Sequence, residues 1–217
     1  MAVIDKLFRA AAHERPVASL LFMFRKVFDW LRGRAVTTIL GWPTSYLGPG
    51  SKILGTRAIT VGERAYINRY AWIEAVHNFG SESFSPTILI GRGLAASDRL
   101  HITAINRIEI GDNCLFGSGV FISDHNHGSY RGDEQSTPSE PPVQRRLVSN
   151  GPVIIGSNVW LGDNVVVIGP ARIGNGAVIG ANSVVTRDIP DHVIAAGAPA
   201  RILKRFDDKS GKWEKID

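Results

Sequence analysis

The chain has 217 residues, with 25 Lys and Arg against 20 Asp and Glu for a formal net charge of +5, and 44% of it is hydrophobic. That is enough for one well-buried core, or a core with an appendage. The basic residues are spread out without an aromatic-basic face, which argues against nucleic acid as a partner. The single cysteine, Cys114, excludes an intramolecular disulfide and fits a reducing compartment.

Residues 1–45 follow a helical rule. Leu20, Phe24, Val27, Phe28 and Leu31 recur at helical spacing, with Arg25, Lys26, Arg32 and Arg34 among them, so one or two helices are expected. The opening stretch MAVIDKLFRAAAHERP carries charges where a signal peptide would be apolar, and the longest apolar run, VASLLFMF, is far too short for a membrane span. A cytoplasmic protein is expected.

Beyond this segment the apolar residues change period. Val61, Ile67 and Ile73 fall six apart, and Ile88-Leu89-Ile90-Gly91 starts another group. Ile110, Phe116 and Ile122 form a third, with Ile108, Cys114 and Val120 two places earlier. From Val153 the period is strict: Ile155, Leu161, Val167, Ile173, Ile179 and Val185 form one column. Val153, Val159, Val165, Ala171, Ala177 and Ser183 form another, two places before it. Residues two apart share a face of a strand, and a helix would need a 3.6-residue period. Asn158, Asn164, Pro170, Gly176 and Asn182 recur where the chain must turn, and Asn and Gly accept positive φ at low cost. The reading is a β-solenoid over residues 46–206, whose stacked coils bury what one coil cannot. Two stretches break the beat, about 75–87 and 124–152, and are expected to leave one corner as loops. The polar tail 207–217 is expected outside the solenoid.

Residues 1–34 carry seven basic residues against three acidic ones, hence nearly all of the net charge. Docking of Leu20, Phe24, Val27 and Leu31 on the first coil would cap the solenoid. The exposed basic face could then touch an anionic membrane surface as a secondary role.

The longer loop opens with FISDHNHGSY, Phe121 to Tyr130. Its imidazoles suit proton transfer near neutral pH, although most loop histidines are merely solvated. Cys114 shares an inward column with Ile108 and Val120, so a buried small hydrophobe is expected there rather than a covalent nucleophile.

The stretches GSNVWLGDNVVV, IGANSVVTRDIP and AAGAPARILKRF resemble the hexapeptide-repeat acyltransferases, and within them the sugar O-acetyltransferases of lipopolysaccharide and exopolysaccharide assembly. The resemblance covers about residues 55–206. It implies a mainly β fold, a left-handed parallel β-helix, homotrimers with sites between subunits, and acetyl-CoA as co-substrate, with no metal. The spacing itself does not give the handedness.

Laid without gaps on GDNCLFGSGVFISDHNHGSY, the catalytic His of the maltose and galactoside branch falls on His127. That branch has Pro after this His where the chain has Gly128, which keeps His125 as an alternative base. Asp124 or a backbone carbonyl would orient a ring nitrogen, while Asp124 could equally bind sugar hydroxyls or cap a turn. Asn126, Tyr130, His101 and Arg99 are candidate acceptor contacts. The branch's sugar-binding Asp and Asn fall on Ala104 and Arg99, so a simple galactoside acceptor is not expected.

For the donor, Asp163, Ala181, Thr186 and Arg187 fall on positions that contact CoA, and Arg201 and Lys204 on basic positions near its phosphates. Gly162 and Gly180 with Ala181 would let the pantetheine arm approach, and Trp160 would shield the thioester. Asp163 stands where the galactoside branch has Ser. The implied activity is acetyl transfer from acetyl-CoA to a sugar hydroxyl of a cell-surface glycan or its precursor. The rivals are N-acetylation of a nucleotide-linked amino sugar and a zinc-type enzyme of the same fold. His101, a whole number of hexads before His125, could contribute to the latter.

Overall fold

The computed structural model describes residues 16–216. Its hexad columns fold as three parallel sheets around one aliphatic core. The chain visits the sheets in rotation, which makes a triangular β-helix. The five-stranded face holds Ile59–Val61, Thr87–Ile90, Arg107–Ile110, Val153–Ile155 and Ala171–Ile173. The nine-stranded face includes Tyr66–Ile67, Leu115–Phe116 and Trp160–Leu161, and the six-stranded face includes Trp72–Ala75, His101–Ala104, Phe121–Ser123 and Val166–Ile168.

The inward residues of successive coils stack directly. Ile102, Ile122 and Val167 lie in register on one face and Phe116, Leu161 and Ile179 on another, all but fully buried. At the corners, Asn158, Asn164, Asn182 and Gly176 take positive φ, as their column predicts; Pro170, whose ring fixes a negative φ, is the exception.

Val153 stacks on Ala171, three whole hexads later, but His101 stacks on Phe121, two places past three hexads. The extra pair lies between Ile102 and Ile108, at the corner Ile105-Asn106, and this is where the early columns slip. Both loops leave at the same corner, between the six- and five-stranded faces. The first folds as the hairpin Asn78–Phe79 with Glu82–Ser83, the second as Asn126–His127 with Leu147–Val148. The Phe79 ring meets the His127 ring edge-on at 5.2 Å and ties one hairpin to the other.

The helix Pro16–Ile39 stands at the open first coil. It does not cap that coil with the expected apolar residues: Phe24 is 76% exposed, Leu31 55% and Val27 46%. The side chain of Leu20, like all of residues 1–15, lies outside the described residues. The helix docks through Asp29, Gly33 and Thr37 instead, with Val36 packed against the core beside them. The strand Tyr46–Leu47 ends its sheet and has carbonyls to satisfy, which an apolar face could not do. Thr37 Oγ1 and Arg34 Nη1 donate to the Ser45 carbonyl at 2.8 and 3.0 Å, Arg32 Nη2 to that of Leu47 at 3.3 Å, and Asp29 pairs with Arg69 at 3.2 Å. A side chain at Gly33 would place its Cβ 2.6 Å from the Leu47 oxygen, so only glycine lets the helix this close. At the other end, Ala200–Asp207 and Lys212–Lys215 extend the nine-stranded face as antiparallel strands. Among the described residues no helix is long and apolar enough to cross a membrane.

Candidate active site

The strand Phe121–Ser123 delivers the DHNH stretch to the corner that bears the loops. Asp124 is fully buried. Its Oδ1 accepts the backbone N–H of Ile105 at 3.0 Å, and its Oδ2 that of Asn106 at 2.8 Å, so it clamps the two-residue corner of the preceding coil. The His125 Nδ1 lies 2.9 Å from Oδ1. A carboxylate accepts only, so the proton between them sits on Nδ1 and Nε2 is left as the basic nitrogen. Ser123 Oγ donates to the His125 carbonyl at 2.9 Å and accepts its N–H at 3.2 Å, which fixes the backbone around the ring.

His127 follows on the hairpin strand and is exposed. Tyr130 Oη donates to the His127 carbonyl at 2.6 Å, and Arg145 Nη1 donates to Tyr130 Oη at 2.8 Å. Arg145 also donates to the carbonyls of Thr137 and Glu140, so it ties the far side of the loop to the histidine strand. The Tyr130 hydroxyl is therefore engaged in holding the loop.

A cleft of about 370 Å³ is walled by His101, His125, Asn126 and His127 together with Trp72 and Glu74. Trp72 and His101 stack at 4.6 Å with planes 8° apart, the Lys52 ammonium lies 4.2 Å from the Trp72 ring centre on the same ladder, and Phe121 meets His101 edge-on. Trp72 Nε1 donates to Glu74 Oε2 at 2.8 Å, which aims the carboxylate. Burial lowers the His101 pKa from its ordinary value, with Glu74 partly opposing the shift, so this ring is a neutral wall rather than a charged one.

Trp72, Glu74 and Phe79 escaped the sequence reading. Trp72 occupies His101's place one coil earlier, but the first loop sets the two apart by a spacing that is no multiple of six. Arg99 stands exposed at the other end of its strand, at a positive-φ corner, and is not brought to the cleft. Ala104, the position of the branch's sugar-binding Asp, is buried.

The residues assigned to the donor divide. Thr186 lines a cavity of about 240 Å³ that shares Asn126 and Ile168 with the histidine cleft. Trp160, Gly162, Asp163, Gly180 and Ala181 line another of about 340 Å³, beside the nine-stranded face. There the glycines have a packing reason: a Cβ on Gly162 would lie 2.6 Å from the Ala181 nitrogen, and one on Gly180 2.9 Å from the Ala196 Cβ. Asp163 Oδ1 accepts the Ser118 N–H at 2.6 Å, so it too serves the coil corner. Arg187 and Arg201 are exposed, Arg187 after the last strand of the six-stranded face, Arg201 and Lys204 on the antiparallel strand Ala200–Asp207. Cys114 is buried with its thiol against the Gly156 carbonyl at 3.2 Å, and burial raises its pKa, which suits a core residue and not a nucleophile. Among the described residues no group of three or more His, Cys, Asp or Glu is placed to hold a metal ion.

Residues 152–187 match the bacterial transferase hexapeptide (six repeats), and residues 107–123 match the hexapeptide repeat of succinyl-transferase. The chain therefore carries hexapeptide repeats of the kind these models describe. Its fold is the left-handed parallel β-helix that the resemblance implied. Over 129 residues the chain is 45% identical to the putative lipopolysaccharide biosynthesis O-acetyl transferase WbbJ of Escherichia coli K12, covering 59% of this chain and 65% of that protein. Over 155 residues it is 37% identical to the galactoside O-acetyltransferase of the same organism, covering 69% of this chain and 65% of that one. The chain thus spans 65% of the length of each. Among solved structures, AntD, an N-acyltransferase from Bacillus cereus in complex with a dTDP-amino sugar and coenzyme A, superposes with a TM-score of 0.58 at 20% identity, over 78% of this chain and 84% of that one.

Proposed function

We propose that the protein transfers an acetyl group from acetyl-CoA to a sugar hydroxyl of a cell-surface polysaccharide or its precursor, by direct transfer in a ternary complex. The observation that carries this reading is the cleft where two imidazoles meet beside a buried carboxylate, within a fold whose named relatives are O-acetyltransferases. The acceptor oxygen attacks the thioester carbonyl carbon while a ring nitrogen takes its proton. The tetrahedral intermediate then expels the CoA thiolate, and the imidazolium returns the proton to sulfur.

His127 is the base in this reading: it is exposed at the cleft and stands at the catalytic position of the resembling branch. One observation favours a second assignment, since it is His125 whose Nδ1 is fixed by Asp124, an arrangement that makes Nε2 a ready acceptor. Arg187, Arg201 and Lys204 serve the CoA phosphates. The division of the donor residues between two cavities is what a homotrimer with sites between subunits would require, one subunit supplying the histidine cleft and its neighbour the Trp160–Ala181 edge. The reading places the protein in the cytoplasm, where acetyl-CoA is made.

The test offers the purified protein acetyl-CoA with hydroxy-sugars and amino-sugars side by side, and measures the acetylated product by mass spectrometry together with the particle mass by light scattering. Acetyl esters support the proposal. Exclusive amide products would move it to the amino-sugar rival, and an active monomer would overturn the shared site.

A further inference from the structure

The helix Pro16–Ile39 presents two opposite faces. Asp29, Gly33 and Thr37, each one helical turn from the next, form the face turned to the solenoid. At 100° per residue, Leu21, Phe24, Phe28, Leu31 and Ala35 form a stripe on the opposite side. Leu21 is 66% exposed and Phe28 60%, and Ile39 continues the stripe at 84%. The stripe runs about 27 Å along the helix at 1.5 Å per residue. So long an apolar surface, turned away from the core, marks a partner.

Charge selects the partner. The helix holds Arg25, Lys26, Arg32 and Arg34 and a single acid, Asp29. That acid is on the docked face, paired with Arg69, so it opposes nothing on the outer side. Arg25 is exposed on the stripe's flank. Arg32 and Arg34 reach back to the Leu47 and Ser45 carbonyls, but the helix keeps a net positive charge and Arg25 stands beside the stripe, so an anionic bilayer satisfies both the apolar stripe and its basic flank better than a second copy of the same helix. We propose that this outer face lies in the interface of a membrane bearing anionic lipid, and that the polar docking face holds the solenoid against it. The segment is an amphipathic surface helix and does not span. The inference is independent of the acetyl-transfer reading, because it requires no acceptor and no chemistry.

The test is sedimentation of the full chain with vesicles of phosphatidylcholine alone or mixed with phosphatidylglycerol, at low and high salt. The protein should pellet with the mixed vesicles, more weakly at high salt, and remain largely in the supernatant with the neutral ones. Phe24→Glu with Phe28→Glu should cost on the order of a hundredfold in partitioning, since each ring accounts for at least about tenfold. Arg25→Glu should cost about fivefold or more, because it removes one cation and adds an anion. Both phenylalanines are exposed, so the double variant should keep the wild-type unfolding midpoint and its turnover on a soluble acceptor. Failure of the wild type to pellet with anionic vesicles overturns the proposal, as does pelleting that the double variant leaves unchanged. A fall in particle mass on light scattering for the double variant, without vesicle binding by the wild type, would assign the stripe to contacts between copies and also overturn it.

Discussion

Asp124 is asked to do two things at once, and substitution by Asn separates them. The carboxylate receives three donors: the Ile105 N–H and the His125 Nδ1–H on Oδ1, and the Asn106 N–H on Oδ2. An amide offers one acceptor oxygen. Placed at Oδ1 it keeps two donors and turns its NH₂ on the Asn106 N–H; placed at Oδ2 it keeps one and opposes two. The better orientation therefore leaves the part-buried Asn106 N–H unsatisfied, about 1–2 kcal/mol, and removes charge assistance from two further bonds, roughly 0.5–1 kcal/mol each. Asp124→Asn should thus destabilise by about 2–4 kcal/mol, a large part of the ~5–15 kcal/mol that holds a domain folded. His125→Gln removes only the ring and leaves both backbone donors satisfied, so it should cost about 1 kcal/mol. Urea unfolding followed by circular dichroism measures both. A fall in turnover for Asp124→Asn at unchanged midpoint would make the aspartate solely an orienter of histidine. Equal losses of stability in the two variants would mean that the corner clamp carries no weight, and would refute the reasoning.

His127→Ala should lower kcat by about 10²–10⁴ with folding intact, the usual effect of losing a positioned base. The same loss in His125→Ala, with His127→Ala near wild type, would transfer the role to the Asp124-bound ring. Arg187→Ala and Arg201→Ala should raise KM for acetyl-CoA more than they lower kcat, because they hold a part of the donor remote from the thioester. Equal wild-type KM values for acetyl-CoA and its dephosphorylated analogue would remove the phosphate role. His101 should titrate by NMR below the ordinary imidazole value of 6.5, since burial disfavours its charged form. A depressed folded pKa means that its stabilising contribution is present above the unfolded value and lost as pH falls through the folded one, so the unfolding midpoint of the wild type should drop more on acidification than that of His101→Phe.

What the sequence disclosed and what it hid follow one physical rule. Wherever the period is six, inward positions are set by local alternation, and the columns from Val153 to Val185 are legible in the sequence alone. The excess pair between Ile102 and Ile108 lay in the same text, but its consequence did not: Asp124 folds back on Ile105 and Asn106 in the preceding coil, and no column links them. The ladder of Lys52, Trp72 and His101 was hidden in a similar way, because the Thr56–Ala58 turn sets Lys52 and Trp72 out of step and the first loop does the same to Trp72 and His101. A solenoid defines contacts by coil and not by distance along the chain, so each insertion erases the register of everything beyond it. The helix was misread differently. Its apolar spacing announced an amphipathic element, and the usual rule turns the apolar face inward. The three residues that decide the docking, Asp29, Gly33 and Thr37, form an equally regular stripe, small and polar enough to meet the carbonyls of an edge strand. The edge strand of the first coil needed donors, and Val36, Leu40 and Trp42 supply its hydrophobic cover without the stripe. Once that need is met by polar groups, the apolar face is left outside, and a surface that would otherwise count as core becomes the part of the molecule available to a partner.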